Sequence, residues 1–507
     1  MHLVQALSLL IVIGASSVPV RCQRGDDHPT ERVHALLHDE KWAEAIALLD
    51  QVLARDPRSS HLFWLRAYAK GQLDDAEGAV VDASKAIELD PKNERAYIER
   101  GRQHHALKHY AAAIADFDRG IELAPDVALS HLFRGESRRG LGDLSGAIVD
   151  YTEAIRLDPD FPPAVQLRGL CHRSLGENEA ARLDYVRATD LRPDDVYAWT
   201  SRAGSEVDCG RFEDALASAQ KVVALSPDPA AALDLRGKIA WQAGKLEVAV
   251  TDLTRSAAVA ASPGGAADTF SSLGCVQLCA SKLDEAAAAF EQSAQRSDED
   301  MAAWAQLMRW CARTRAVGIE PANVELQRAL GEESANLPAL QREVLSLCTS
   351  KSPTTSEPDV TGRPPHEACA LLFFAACRAE ATGAREQALR LFQLCVNTGH
   401  RPWRQWQIAL SHLLAGSEAK ALRAGLGIEV RETHDELAVV GLPRTSAAAM
   451  QGLRNDDTIV TVDNQPANEA MWRRDVAPRG PGSMLRLVVR HDGEERVLWV
   501  RVGFVLD

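Results

Sequence analysis

Aromatic residues are scarce, 5% of the 507-residue chain. That is low for a protein built mainly of β-sheet and suits close-packed, alanine-rich helices. Cysteine is sparse too: ten residues, none forming C-x-x-C, cannot make a disulfide scaffold and read as small helix-packing side chains. With 33 Gly and 23 Pro, neither collagen-like nor proline-rich disordered chain is indicated. Positive charge is also short. Lys+Arg number 57 against 71 Asp+Glu, a net charge of −14, which argues against nucleic acid or an anionic membrane face as main partner. Any basic site must be local.

Catalytic signatures are missing as well. There is no G-x-S-x-G, Walker loop, H-E-x-x-H or G-x-G-x-x-G, because Gly425-x-Gly427 is followed by Glu429-Val430. His105 and His109 are four apart but have no acidic or cysteine partner in place, and Cys275 and Cys279, also four apart, read as packing. No catalytic residue, cofactor or metal is therefore expected.

Long apolar runs are confined to the start. Leu3 to Ile13 has signal-peptide length and precedes the small residues Gly14-Ala15-Ser16-Ser17, so residues 1–24 are expected to direct export to a periplasm, envelope or exterior. The n-region offers only the α-amino group and His2. Extended to Val20, the run reaches about 18 residues, the lower limit for a span, so an uncleaved anchor followed by Arg21 and Arg24 is a second reading. A cytosolic start is the third, and the scattered cysteines favour it over an oxidising compartment. Arg21 before Cys22 stands where a lipobox needs a small residue, which sets lipidation aside.

What is abundant is order at one period. Pro57, Pro91, Pro125, Pro159, Pro193 and Pro227 lie 34 residues apart, mostly closing a Leu-x-Pro triplet that stops a helix. With that proline as position thirty-two, position eight reads Val33, Ala67, Gly101, Gly135, Gly169, Ala203, Gly237 and, after a short insertion near Ser262, Gly274. Position twenty is alanine throughout: Ala45, Ala79, Ala113, Ala147, Ala181, Ala215, Ala249 and Ala286. Position twenty-four is often large (Phe117, Tyr151, Tyr185, Phe290), and Gly142, Gly176, Gly210 and Gly244 mark a turn. Each unit is thus two helices crossing closely at small residues, with one large side chain filling the gap.

These columns resemble the tetratricopeptide repeat (TPR) family over residues 26–300, about eight units. The resemblance implies an α-α superhelical solenoid with a concave inner surface. The period decays beyond 300. Residues 301–365 are expected to hold an irregular helical segment and a Pro/Ser/Thr loop, and 366–424 a further TPR-like unit with a capping helix from Trp403 to Leu414.

From Gly425 the texture changes to short β-patterned runs: Ile428–Val430, Leu437–Val440, Thr458–Val462, Leu485–Val489 and Val497–Val502. Gly425-Leu426-Gly427-Ile428, the stretch Ser446 to Ile459 and Val462-Asp463-Asn464-Gln465-Pro466 resemble the PDZ domains appended to bacterial HtrA-like proteases, with the protease half absent. Asp456 and Asn464 stand where that family usually has glycine, and both residue types tolerate left-handed backbone. The resemblance implies that a C-terminal peptide adds as a strand beside Ile428, its carboxylate cradled by the N–H groups of Leu426, Gly427 and Ile428, with Met471 and Val476 as groove residues.

In the TPR family, first-helix positions two, five, nine and twelve line the groove. Here they give His61, Trp64 and Tyr68, then Arg95, Ile98, Arg102 and His105, then Arg139, Arg173 and Lys238. This broken basic line with an aromatic end suggests an acidic or aromatic-containing peptide. The Lys and Asn pairing that clamps a terminal carboxylate in chaperone-binding members is absent. The expected function is a non-enzymatic adaptor, mainly α with a small PDZ-like β domain, binding proteins or peptides at both modules. The alternative is a regulatory or substrate-recognition subunit of an envelope protease, and an enzyme with a site invisible in the motifs is the third.

Overall fold

The computed structural model describes residues 29–331, 334, 336–350, 357–398 and 408–409, then parts of 424–504. The expected leader, Leu3 to Val20, lies outside the described residues. Among those described, no helix is long and apolar enough to cross a membrane. The chain divides into two units, residues 1–194 and 195–507.

The first unit is an alternation of helices: α1 (Pro29–His38), α2 (Trp42–Leu53), α3 (Ser60–Gln72), α4 (Ala76–Leu89), α5 (Glu94–Ala106), α6 (Tyr110–Leu123), α7 (Ala128–Gly140), α8 (Leu144–Leu157), α9 (Pro162–Ser174) and α10 (Asn178–Leu191). Odd and even helices are the first and second members of each repeat. Side-chain caps fix several starts: Ser59 accepts from the Leu62 N–H, Asn93 from Ala96 and Asp143 from Gly146. The intra-repeat turn needs left-handed backbone, which Gly142 (φ 84°) and Gly176 (φ 72°) supply. Glu40, Asp74 and Lys108 hold the same conformation in the earlier repeats at φ 57° to 61°. The turn is therefore set by helix packing as well as by glycine.

The small columns are close approaches. A Cβ on Gly101 would lie 2.9 Å from the Phe117 ring, and one on Gly135 2.7 Å from Tyr151. Ala45, Ala79, Ala113, Ala147 and Ala181 are fully buried.

A second 34-residue series, of charges, ties the repeats together. Arg66 donates to Asp82 at 2.8 and 2.6 Å and to Asp50 at 2.6 Å. Arg100 pairs with Asp116 at 2.9 and 2.6 Å and reaches Ser84; Arg134 pairs with Asp150 at 2.6 Å and Asp118 at 2.7 Å; Arg168 pairs with Asp184 at 3.0 and 2.6 Å and reaches Thr152. Each arginine on a first helix thus bonds a buried aspartate on its own second helix and a polar side chain on the second helix before it. The pairing neutralises charge that burial alone would not tolerate.

The second unit continues with α11 (Val196–Asp208), α12 (Phe212–Leu225), α13 (Pro229–Gln242), α14 (Leu246–Val259), α15 (Pro263–Cys279) and α16 (Leu283–Ala294). Arg236 repeats the staple with Asp252. Where Ser218 replaces the aspartate, Arg202 turns to Glu206 at 2.8 Å, and the Ser218 hydroxyl donates to the same carboxylate. Beyond the insertion, Gly274 again meets an aromatic ring, that of Phe290.

Residues 301–365 carry defined helices, α17 (Glu299–Val317), α18 (Ile319–Leu330) and α19 (Ala339–Thr349), followed by α20 (Pro365–Ala381) and α21 (Arg385–Asn397). Trp310, Val344, Phe373 and Phe392 share one buried cluster. Buried Arg378 donates to the Leu347 and Cys348 carbonyls at 2.8 and 2.9 Å and satisfies the end of α19. Of the expected capping helix only residues 408 and 409 are described, both helical.

The C-terminal region holds an antiparallel sheet in the order β2-β3-β4-β6-β7, with β5 also on β4, and a separate two-stranded pair of β1 with β8. The strands are β1 (Ala424–Gly425), β2 (Glu429–Thr433), β3 (Glu436–Gly441), β4 (Thr458–Val462), β5 (Gln465–Pro466), β6 (Met484–His491), β7 (Glu494–Arg501) and β8 (Gly503–Phe504). Leu437, Val439, Ile459, Leu485, Leu487 and Val500 fill its core. Fully buried Asp457 is held by Arg496 at 2.7 Å and the Arg454 N–H at 2.8 Å, with the His491 ring nitrogen 3.0 Å away.

Candidate functional site

First helices of consecutive repeats touch, α3 with α5 and α5 with α7. Positions two, five, nine and twelve of these helices therefore form one continuous face in the first unit. At its start, His34 on α1 and His61 on α3 have ring centroids 5.7 Å apart, and His61 lies 5.3 Å from Trp64. Arg95 on α5 reaches back so that its guanidinium carbon is 5.2 Å from the Trp64 ring centroid, a cation–π contact. Trp64 is buried beneath, while His34 and His61 are exposed. Partial burial, then the positive charge of Arg95, holds the His34 imidazole below its usual range; for His61 the causes are burial, His34 and Arg95.

Tyr68 is buried edge-on to Trp42 at 5.9 Å, and burial chiefly pushes its phenol up to about 12. Arg102 lies 5.3 Å from the Phe133 ring centroid and donates to Glu99 at 2.8 Å. Glu99 also accepts from Gln103 and is buried. His105 sits 3.1 Å from the Ser137 hydroxyl and edge-on to Tyr110; burial, then Arg139, lowers its pKa. Glu136 lies beside Arg139, burial raising the carboxyl's pKa and the guanidinium opposing the rise. Arg173 is exposed on α9 and engaged in contacts of its own.

The expected basic line is uneven in charge. Arg102 is neutralised by Glu99, and in the second unit Lys238 by Asp234 and Asp268, both at 2.7 Å. Position alone did not show this, although Glu99 and Arg102 stand at the i,i+3 spacing that pairs charges on a helix. His34, Phe133, Glu136 and Ser137 belong to the face and were not singled out. His109, at the turn before α6, faces His104 at 6.0 Å. Among the described residues no group of three or more His, Cys, Asp or Glu is placed to hold a metal. The PDZ-groove residues Leu426, Gly427, Ile428, Met471 and Val476 lie outside the described residues. β2, which follows the first three, pairs with β3 alone among the described strands and so stands at the sheet edge.

Sequence descriptions of the tetratricopeptide repeat match residues 30–94, 132–196 and 200–266, and a second description of the same repeat matches 94–127. No curated protein matches the chain. Among solved structures, MamA is 20% identical, covering 32% of this chain and 90% of that one, with a TM-score of 0.31. YrrB, described as a TPR protein with an unusual peptide-binding site, is 19% identical over 36% and 95% of the two chains, with a TM-score of 0.33. A tetratricopeptide repeat protein from Parabacteroides merdae is 17% identical over 46% and 92%, with a TM-score of 0.36. From residue 30 to 266, the chain is built of tetratricopeptide repeats.

Proposed function

We propose that this protein is a non-enzymatic interaction scaffold whose first unit binds an extended peptide along the face of its first helices. The observation that carries the reading is the Arg95–Trp64 contact between adjacent repeats, with Arg102, paired to Glu99, against Phe133 beyond it. Such contacts give a peptide both apolar contact and charge complementarity.

The C-terminal sheet is the second binding module of this proposal. Its edge strand β2 has backbone groups to offer an added strand, in keeping with the PDZ-like pattern of residues 425–466. Two weak sites in one chain raise avidity through effective concentration. An exported or N-terminally anchored location fits the leader-like residues 1–24. The protease-subunit alternative uses the same edge for C-termini of damaged proteins.

Selection of peptides from a random library on the full chain, repeated with Trp64→Ala and Arg95→Glu, tests the groove. Peptides lost from both variants are expected. Peptides that bind both variants unchanged would sink the groove assignment. Binding of free-acid but not amidated C-terminal peptides is the corresponding outcome for the sheet.

A further inference from the structure

We propose that Cys369 on α20 and Cys395 on α21 are a disulfide-forming pair, a covalent modification site that staples this helical hairpin when the chain folds in the presence of a disulfide donor. The proposal is independent of the peptide groove.

Of the nine cysteines described, five crowd into the apolar core to which α17, α19, α20 and α21 contribute: Cys311, Cys348, Cys369, Cys377 and Cys395, all buried. Among the described residues no three of them are placed to hold a metal, which leaves pairwise chemistry. The Sγ atoms of Cys369 and Cys395 are 3.4 Å apart, about 1.4 Å beyond bonding distance, a gap that small side-chain rotations close.

The repeat explains why these two meet. They are 26 residues apart, the separation at which first and second helices touch in other units. The Ser60 hydroxyl donates to the Ala86 carbonyl at 2.7 Å, Ser256 to Ala230 at 2.8 Å and Ser293 to Ala267 at 2.9 Å. The Cys395 thiol makes the same contact with the Cys369 carbonyl at 3.4 Å. Where those units hold one serine and one alanine at the crossing, α20 and α21 hold two cysteines. The helix crossing itself therefore brings the sulfurs together.

The bond forms by thiol–disulfide exchange. One cysteine, as its thiolate, attacks the donor disulfide and releases one donor thiol; the second attacks the mixed disulfide so formed and releases the other. The pair gives up two protons and two electrons, and the donor disulfide becomes two thiols. Burial holds the Cys395 thiol well above its ordinary range, so the exchange belongs to the stage at which the hairpin is forming, before the core closes. The short separation in sequence lets the partners meet early. Once made, the bond sits in a core that keeps reductants out. A chain folded under reducing conditions keeps both thiols.

The test uses the full chain, unfolded in urea with dithiothreitol and refolded either in a mixture of oxidised and reduced glutathione or in reduced glutathione alone. Remaining thiols are alkylated after denaturation, and linked peptides are mapped after chymotrypsin, which cuts at Phe373 and Phe374 between Cys369 and Cys377. The expected product of the oxidising mixture is a peptide linking Cys369 to Cys395, formed equally well in Cys377→Ala. Amide exchange in residues 365–381 and 385–397 is expected to slow about tenfold or more in the linked form. Cys369→Ala/Cys395→Ser should show one exchange rate in both buffers. That variant reproduces the Ala230 and Ser256 pair, so it should keep its fold, which a thermal melt verifies.

The peptide map of the natural chain decides the pairing whether or not the variant folds. Cys369 and Cys395 both alkylated or carrying only glutathione after the oxidising refold, or a bond from either to Cys377 or Cys311, would overturn the proposal. So would a linked chain whose hairpin exchanges as fast as the reduced one.

Discussion

The Arg134 guanidinium on α7 donates at 2.6 Å to the fully buried carboxylate of Asp150 on α8, sixteen residues on, and at 2.7 Å to Asp118 on α6, sixteen residues back. One side chain thereby bonds three helices from two repeats. Truncation of Asp150 leaves Arg134 and Arg138 without their buried partner, so Asp150→Ala is expected to cost about 3 kcal/mol. Asp118 is half exposed, and Asp118→Ala should cost less than about 1 kcal/mol. Denaturant unfolding of the two variants checks the contrast; equal losses would contradict the assigned roles.

Close approach of Gly135 to Tyr151 sets a second expectation. An alanine Cβ there would meet the ring at 2.7 Å, whereas at Gly169 the nearest atom, the Asp184 Cβ, is 3.2 Å away. Gly135→Ala should destabilise by about 1–3 kcal/mol through overpacking. At Gly169 the smaller strain is offset by the helix-propensity gain of about 1 kcal/mol, so Gly169→Ala should be close to neutral. Melting temperatures read both, and Tyr151→Leu combined with Gly135→Ala should recover part of the loss.

Acid sensitivity follows from His104 and His105. Burial, the largest cause for each, lowers both imidazoles below 6.5, so the folded state prefers them neutral. Their stabilising contribution is complete above the unfolded value of 6.5 and is lost as pH falls through the lower folded values. Thermal melts should drop on acidification through that window, and His105→Gln should reduce the drop. An unchanged profile would remove the histidines from the explanation.

Thiol reactivity separates the cysteines. Cys369 and Cys395 have sulfurs 3.4 Å apart, both buried, and burial raises the Cys311, Cys348 and Cys395 thiols well above the ordinary range. Thiols so held are poor nucleophiles. Native-state alkylation read by mass spectrometry should modify half-buried Cys209 and Cys279 first and reach Cys311, Cys348 and Cys395 only on unfolding.

Much of this architecture was legible in the spacing of proline, glycine and alanine, because those residues answer to backbone geometry that recurs in each unit. The arginines at 66, 100, 134, 168, 202 and 236 keep the same 34-residue step. Their meaning was hidden, since a charge on a helix reads as solvated until the partner on another helix is known. The turn was legible only in part: Asp74 and Lys108 adopt the glycine conformation because their neighbours' packing demands it. At the groove, residue types and positions were readable, but which cations are cancelled was not. Arg102 and Arg95 look equivalent in sequence, yet the first pairs with buried Glu99 at 2.8 Å while the second has Glu94 at 3.6 Å.

Hydrogen–deuterium exchange on the full chain, with and without a library-selected peptide, tests the central claim most directly. Binding along the first-helix face predicts added protection in α3, α5 and α7, at residues 60–72, 94–106 and 128–140, with α4, α6 and α8 unchanged. Protection confined to the second helices, or to the C-terminal sheet alone, would contradict the assignment of the groove.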